Sequence, residues 1–578
     1  MTSHSLRGVV LFALLALGGA AIAARLVELQ LLMHEPLDRQ ARINSEDRMH
    51  VAGPRGEIVD RDARILAISV PTKLLLARPV DISAAGLHAI DAAAGTPGRL
   101  SSRQQRKSWI RVTNSCDYLC EEKIARLVKE GFVPAASVHL EPTFRRRYPN
   151  GSLAAQVIGF INDEGQAHGI EGQYDGLLRA QEHELLLLRD AREKIIDARR
   201  IDDIRSAPVS LMLTLDLRVQ EQLETALRET AHRHKARSAQ GVVIDPKTGE
   251  ILAMATWPTF DPNHFGAGFA HHRNLAIGAS FEPGSVIKPL SAVAVVDSGV
   301  VDPYQRVFCE RGSWKAAGCR RPIRDHSAYE WLTLPEVLTV SSNIGIAKYS
   351  SLIPARRLHE TLRAFGIGEK TGIDLPAEAR GTLLPIEKWQ GRDRYAAAFG
   401  YLMRTSPLQL AVAYAAIANG GLLVRPHLAR ATSEGGRSWH PVTTSKVRRR
   451  VASAAAVRSI ASWLQQVVTN ERGTGGRALV AGYRVAGKTG TAEKLIKGHY
   501  DRRSNIATFA GFAPAEDPRV VIVVSLDNPQ EHGRDAGSVA APAFARVMAE
   551  TLRLWHIAPT IDHQEVARAR ATRRRNDG

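Results

Sequence analysis

Apolar residues run unbroken from Gly8 to Ala24, GVVLFALLALGGAAIAA, with Arg7 in front and Arg25 and Glu28 behind. The run is just long enough to span a bilayer, and Leu26 to Leu32 extend it if Arg25 snorkels to the interface. A cleaved signal peptide is the other reading, because Ala21-Ile22-Ala23 resembles a small-residue cleavage site. The length of the run, and the helix-like segment that continues it, favour an uncleaved anchor. Both readings export the rest of the chain, and Arg7 on the cytoplasmic side places that remainder outside.

Past residue 210 the pattern alternates between helix and strand. LDLRVQEQLETALRETA (Leu215–Ala231) has helical spacing, whereas GVVIDPKTGEILAMA (Gly241–Ala255) is two β-rich runs around a Pro-Lys-Thr-Gly turn. NIATFAGFAP and RVVIVVSLDN are predicted strands joined across Glu-Asp-Pro, and another strand runs through Val485 and Lys488. APAFARVMAETLRLW then returns to helical spacing. The pattern predicts a five-stranded, mainly antiparallel sheet flanked by helices, with a largely helical insert over 256–480 between the second and third strands. At 578 residues the chain exceeds what one hydrophobic core usually serves, so two or more domains are expected.

Composition removes some functions. Hydrophobic residues at 44% and charged residues at 24% are those of a folded protein rather than a disordered one. The net charge of +18 is spread along the chain except in the terminal RARATRRRNDG. A dispersed excess suits an anionic membrane or polymer nearby and gives no sign of nucleic-acid binding.

The stretch GYRVAGKTGTAEK (482–494) admits two chemistries. Gly482, Gly487, Lys488 and Thr489 satisfy G-x-x-x-x-G-K-[ST], the pattern of a phosphate-cradling loop. Such a loop must open a helix, yet no sustained helical periodicity follows Thr489, and an exported domain does not meet ATP. The alternative is a strand whose Lys-Thr-Gly-Thr edge grips a carboxylate. In FEPGSVIKPLSAVAVV, a Pro-Gly breaker precedes Ser285, and Lys288 follows three residues later on the same helical face. A desolvated, neutral lysine there can take the proton of a serine nucleophile. Alone, this spacing is more often a helix cap plus a solvated lysine. TVSSNIGIAK adds Ser341 and Asn343 ahead of a helical segment, a cluster that alone reads as an ordinary N-cap. Together, Ser285-x-x-Lys288, Ser341-x-Asn343 and Lys488-Thr489-Gly490 form the ordered trio of penicillin-binding proteins and serine β-lactamases.

Over nearly its whole length the chain resembles the class B penicillin-binding proteins. RGEIVDRDARILA, RRYPNGSLAAQVIGF, GIEGQYDGLL, TWPTFDPN, FEPGSVIKP, SSNIGIAK, TSPLQLAVAYAAIANGG and VAGKTGTAEK occur in the family's order. Length, short tail and the lack of a glycosyltransferase domain resemble the division-specific FtsI, or penicillin-binding protein 3, subtype. The resemblance implies a cytoplasmic N-terminus (1–7), a transmembrane anchor (8–30) and an α+β periplasmic pedestal resembling a dimerisation domain (45–210). A penicillin-binding, serine-β-lactamase-like transpeptidase domain (211–560) and a basic disordered tail (561–578) complete it. The implied place is the inner membrane at the division septum.

The implied activity is that of a serine-type D-Ala-D-Ala transpeptidase, of the carboxypeptidase class, that cross-links peptidoglycan stem peptides without a cofactor or metal. Ser285 is the implied nucleophile, Lys288 its base, Ser341 the proton donor to the leaving amine, and Asn343 the residue that fixes Lys288 and the substrate backbone. Lys488, Thr489, Gly490 and Thr491 hold the terminal carboxylate, and the N–H groups of Ser285 and Thr491 form the oxyanion hole. β-Lactams are the implied inhibitors, and an FtsW-type glycosyltransferase with other division proteins the implied partners. A β-lactam-hydrolysing or β-lactam-sensing protein on the same fold, a noncatalytic division scaffold and a specialised paralogue of the division enzyme remain alternatives.

Some residues depart from the family pattern. Ala63 stands at a usual turn glycine, Leu402 and Met403 stand where Gly-Tyr-Gly is commoner, and the linker RAQEHELLLLRDAREKII is poor in glycine. His232, His234, His271 and His272 lack a third ligand at metal-type spacing and are expected at the surface. Cys309 and Cys319 bracket a loop that a disulfide would close in an oxidising compartment, while the pairing of Cys116 and Cys120 is open.

Overall fold

In the computed structural model, residues 3–561 are described except 38, 40–45, 52–53, 105–108, 163–164, 180–182, 190–194, 201–207, 265–268, 317–320, 437, 443–444 and 497–498. The basic tail after Ile561 and Cys319 therefore lie outside the described residues. The chain divides into two compact units, residues 1–55, 69–146 and 179–208 in one, and 56–68, 147–178 and 209–578 in the other.

The first unit begins with the helix Ser3–Val27, and Val9–Leu32 is long and apolar enough to cross a membrane. Its small core gathers Leu75, Leu87, Ile90, Val112 and Ile124 from strands and from the helices Ala84–Ala94 and Tyr118–Lys129. Ser83 and Asp117 cap those helices by accepting from Gly86 N and Cys120 N. A disulfide joins Cys116 to Cys120, settling the pairing that spacing left open. The segments Glu46–Val51, His183–Arg189 and Ile195–Arg200 form a separate three-stranded antiparallel sheet.

The second unit is built on a five-stranded antiparallel sheet. Its strands are β1 (Ser238–Ile244), β2 (Ile251–Trp257), β3 (Ala486–Ile496), β4 (His499–Ala513) and β5 (Val520–Asp527), in the order β2-β1-β5-β4-β3. β5 is central and reads as a nearly continuous apolar run because both its faces are buried. Val521 and Val523 join one core cluster, and Val520, Ile522 and Val524 the other. Helices α1 (Leu217–Arg233) and α7 (Ala536–Leu554) cover the second face, capped by Asp216 and Asp535. The opposite face meets α2 (Lys288–Val296), α3 (Leu334–Val340), α4 (Asn343–Ser351), α5 (Pro407–Ala418) and α6 (Ala454–Thr469), all from the insert between β2 and β3. Capping boxes Thr333/Glu336 and Ser406/Gln409 start α3 and α5.

Two early segments fold with this unit. Ile58–Val59 pairs in parallel with Val209–Leu213, opposing Ile58 to Leu211. Asp60, fully buried, accepts from the main-chain N–H of Asp62 (2.9 Å), Arg64 (2.8 Å) and Leu217 (3.2 Å), which explains an aspartate in the RGEIVDRD segment. Ala63 keeps the turn at φ 62°, the left-handed conformation that glycine would adopt freely.

Candidate active site

Ser285 lies in a 3₁₀ turn, Gly284–Ile287, that runs directly into α2 with Pro289 in its first turn, where a missing N–H costs nothing. The serine is half-buried at the mouth of the turn, whereas Lys288 is fully buried. Packing holds this turn in place. Gly284 N donates to Gly400 O (3.2 Å), and the buried Tyr414 hydroxyl donates to Val286 O (2.8 Å). A Cβ on Gly400, at φ +91°, would stand 2.1 Å from Gly284 O, so only glycine fits there.

Ser341 closes α3 in the left-handed region at φ 62°, a conformation that costs a non-glycine residue about 1–2 kcal/mol. There Lys288 Nζ donates to both the carbonyl oxygen and the Oγ of Ser341, the latter at 3.2 Å. Asn343, expected to fix Lys288, donates from Nδ2 to Arg324 O at 2.8 Å. Asn343 is the first residue of α4, beyond the turn, and its side chain reaches the neighbouring Ile323–Arg324 segment.

β3 is the edge strand beside this turn. Gly490 faces it so closely that a Cβ would lie 2.8 Å from Val286 Cγ1 and 3.0 Å from both Pro283 O and Val286 N. Lys488 is fully buried, and its Nζ donates to Thr489 O (3.2 Å) and Thr489 Oγ1 (3.4 Å). Thr491 Oγ1 accepts from Ala536 N at 3.0 Å, tying the strand to the start of α7. Because Gly487, Lys488 and Thr489 belong to a strand and open no helix, the phosphate-loop reading has no anion site here.

Burial sets the electrostatics. It pulls the Lys288 ammonium down to about 7, against the opposing charge of Asp325. Lys488 is held well below the usual lysine range by burial first and then by the Lys288 charge. Two buried ammonium groups repel each other, so the unliganded site disfavours two protons, and an arriving carboxylate would favour the charged form of Lys488.

The structure adds two polar residues that motif spacing missed. Thr474 Oγ1 lies 2.6 Å from Thr489 Oγ1, and the only local signal is the glycine-rich turn around it. Asp325 collects Ser342 Oγ and the N–H groups of Asn343 and Ile344, with no spacing rule to announce it. The wall residue Leu402 takes φ +66°, again a glycine conformation held by another residue.

Among the histidines, His234 departs from the surface expectation: it is buried, and its Nδ1 pairs with Glu531 O at 2.8 Å. His232 instead meets the Trp257 ring edge-on at 5.0 Å. Cys309 is a buried free thiol.

A half-buried serine thus lies one helical turn from a buried lysine, beside a second buried lysine on a sheet edge. Residues 240–549 match the family model described as "Penicillin binding protein transpeptidase domain", and residues 126–197 match "Penicillin binding protein A dimerisation domain". The chain is 32% identical over 575 residues to the probable peptidoglycan D,D-transpeptidase PenA of Neisseria gonorrhoeae, covering 97% of this chain and 94% of that protein. It is 32% identical to the peptidoglycan D,D-transpeptidase FtsI of Escherichia coli K12 over 559 residues, 93% of this chain and 90% of the relative. Penicillin binding protein 3 of Mycobacterium tuberculosis, complexed with ampicillin, superposes with a TM-score of 0.69 at 28% identity, over 89% of this chain and 98% of that one. The chain belongs to the penicillin-binding transpeptidase family, as a class B member of the FtsI and PenA kind.

Proposed function

We propose that this chain is a peptidoglycan D,D-transpeptidase of septal wall synthesis, anchored by its N-terminal helix in the inner membrane with the bulk of the chain periplasmic. It works through an acyl-enzyme on Ser285. The observation that carries the serine mechanism is the fully buried Lys288, whose lowered proton affinity leaves a substantial neutral fraction near pH 7.

Lys288 Nζ takes the Ser285 hydroxyl proton as Oγ attacks the carbonyl carbon of the penultimate D-alanine. Negative charge then develops on the carbonyl oxygen, facing the N–H groups of Ser285 and Thr491. The C–N bond breaks, and the leaving D-alanine amine receives the proton from Lys288 through Ser341, a path supported by the Lys288–Ser341 hydrogen bonds. Lys488, Thr489 and Thr491 hold the terminal carboxylate, which shifts positive charge to Lys488 and leaves Lys288 free to act as base. Gly490 lets this strand approach the nucleophile turn, and Asn343 orients the substrate backbone from the start of α4. An amine of a neighbouring stem peptide then attacks the ester carbonyl and gives a proton to Lys288, and as the C–O bond breaks Lys288 returns that proton to Ser285 Oγ.

A β-lactam opens on Ser285 by the same first step and leaves a stalled ester. As a class B family member, the protein works beside an FtsW-type glycosyltransferase and other division proteins. The test is full-length protein in detergent, incubated with a penicillin and followed by intact and peptide mass spectrometry. A persistent adduct on Ser285 is expected, absent in Ser285→Ala. An adduct lost within seconds would instead indicate a hydrolase, and none at all a scaffold.

A further inference from the structure

Asp325 follows the short strand Ile323–Arg324 and is half-buried. Its two oxygens gather three donors from the turn between α3 and α4. Oδ2 accepts from Ser342 Oγ at 2.5 Å, and Oδ1 accepts from Asn343 N and from Ile344 N at 3.0 Å. The free N–H groups and the dipole at the start of α4 favour an anion at this position. Ser342 lies between Ser341 and Asn343, so a carboxylate that grips Ser342 and the next two residues also fixes Ser341. That residue needs holding, since it is left-handed without being glycine and carries the hydrogen bonds to Lys288.

Arg324 and His326 flank Asp325 in the chain. Asp325 acts on Lys288, which in turn acts on Lys488. On its other side lies the Cys309 thiol, with Lys348 and Glu310 beyond it.

We infer that Asp325 is a positioning residue for acylation, setting the turn that presses Ser341 against Lys288 and placing a carboxylate charge on the turn to which the buried ammonium donates. The inference rests on the Ser285–Lys288 reading above. A brace made only of hydrogen bonds would govern the rate. A charged brace also governs the pH at which Lys288 loses its proton.

The test measures acylation of the full-length protein in detergent by a fluorescent penicillin, across a pH range centred on neutrality. The proteins compared are wild type, Asp325→Asn, Asp325→Glu and Ser342→Ala. Asp325→Asn is expected to lower the plateau rate about tenfold and to move the midpoint of the acid limb down by about one pH unit, since an opposing charge is lost. Ser342→Ala is expected to slow acylation without moving the midpoint. A slow Asp325→Asn with the wild-type midpoint would reduce Asp325 to a fold brace and overturn the inference, as would a wild-type rate. If Asp325→Asn shows no folding transition, Asp325→Glu decides: a slower rate with the wild-type midpoint supports the inference, and a wild-type rate or a displaced midpoint overturns it. Absence of any wild-type adduct on Ser285 defeats the functional reading itself and this inference with it.

Discussion

Replacing Gly490 with alanine tests how closely the carboxylate strand must approach the nucleophile turn. The added methyl would meet Val286 Cγ1 at 2.8 Å and the backbone atoms Pro283 O and Val286 N at 3.0 Å, whereas ordinary contact begins near 3.4 Å. Strand and turn must therefore separate by about 0.4–0.6 Å, and no side chain can swing aside instead. Val286 is fully buried, its carbonyl is held by Tyr414, and Gly284 is held by Gly400. The shift falls beside Ser285, between the N–H groups proposed for the oxyanion hole, where misplacement of an ångström costs about a hundredfold in rate. Gly490→Ala should lower the second-order rate of acylation by about 10- to 100-fold, read by stopped-flow with a fluorescent penicillin. The melting temperature should change little, because the displaced strand lies at the sheet edge. A wild-type acylation rate in a folded Gly490→Ala protein would refute the claim that this contact sets the site's geometry.

Acylation should rise with pH through a midpoint of about 7, falling tenfold per unit on the acid side as Lys288 is protonated; a flat profile would remove Lys288 as the base. The same burial has a stability consequence of fixed sign. Between about 7 and 10.5 the unfolded chain holds a proton on Lys288 that the folded chain lacks, so this group's contribution to stability grows as pH rises, which pH-dependent denaturant titration of wild type against Lys288→Met checks. Thr474→Val removes the 2.6 Å contact to Thr489 and should weaken penicillin binding about tenfold with little change in the acylation step, seen by separating K from k2. Ala63→Gly relieves a left-handed alanine and should stabilise by about 0.5–1 kcal/mol, so a lowered melting temperature would show that the turn is unstrained.

The sequence alone established what depends on a few neighbouring residues. The apolar run at the N-terminus, the strand through Val520–Asp527 and the helical spacing of Leu215–Ala231 are all written within a few neighbouring turns of chain. So is the Ser285–Lys288 pair, because one helical turn sets its spacing. The tertiary structure decided what comes to lie beside those elements. Tyr414 and Gly400 reach the Ser285 turn from more than a hundred residues away, Thr474 meets Thr489 across a turn, and Asp325 gathers Ser342 and the N–H groups that open α4. Residues 56–68 and 147–178 likewise fold with the second unit, and Ile58 finds Leu211 as a partner far along the chain. Periodicity and capping are local, so they survive in the order of the letters. Burial and long-range approach arise only when the chain closes on itself, and the lowered proton affinity of Lys288 comes from that closure.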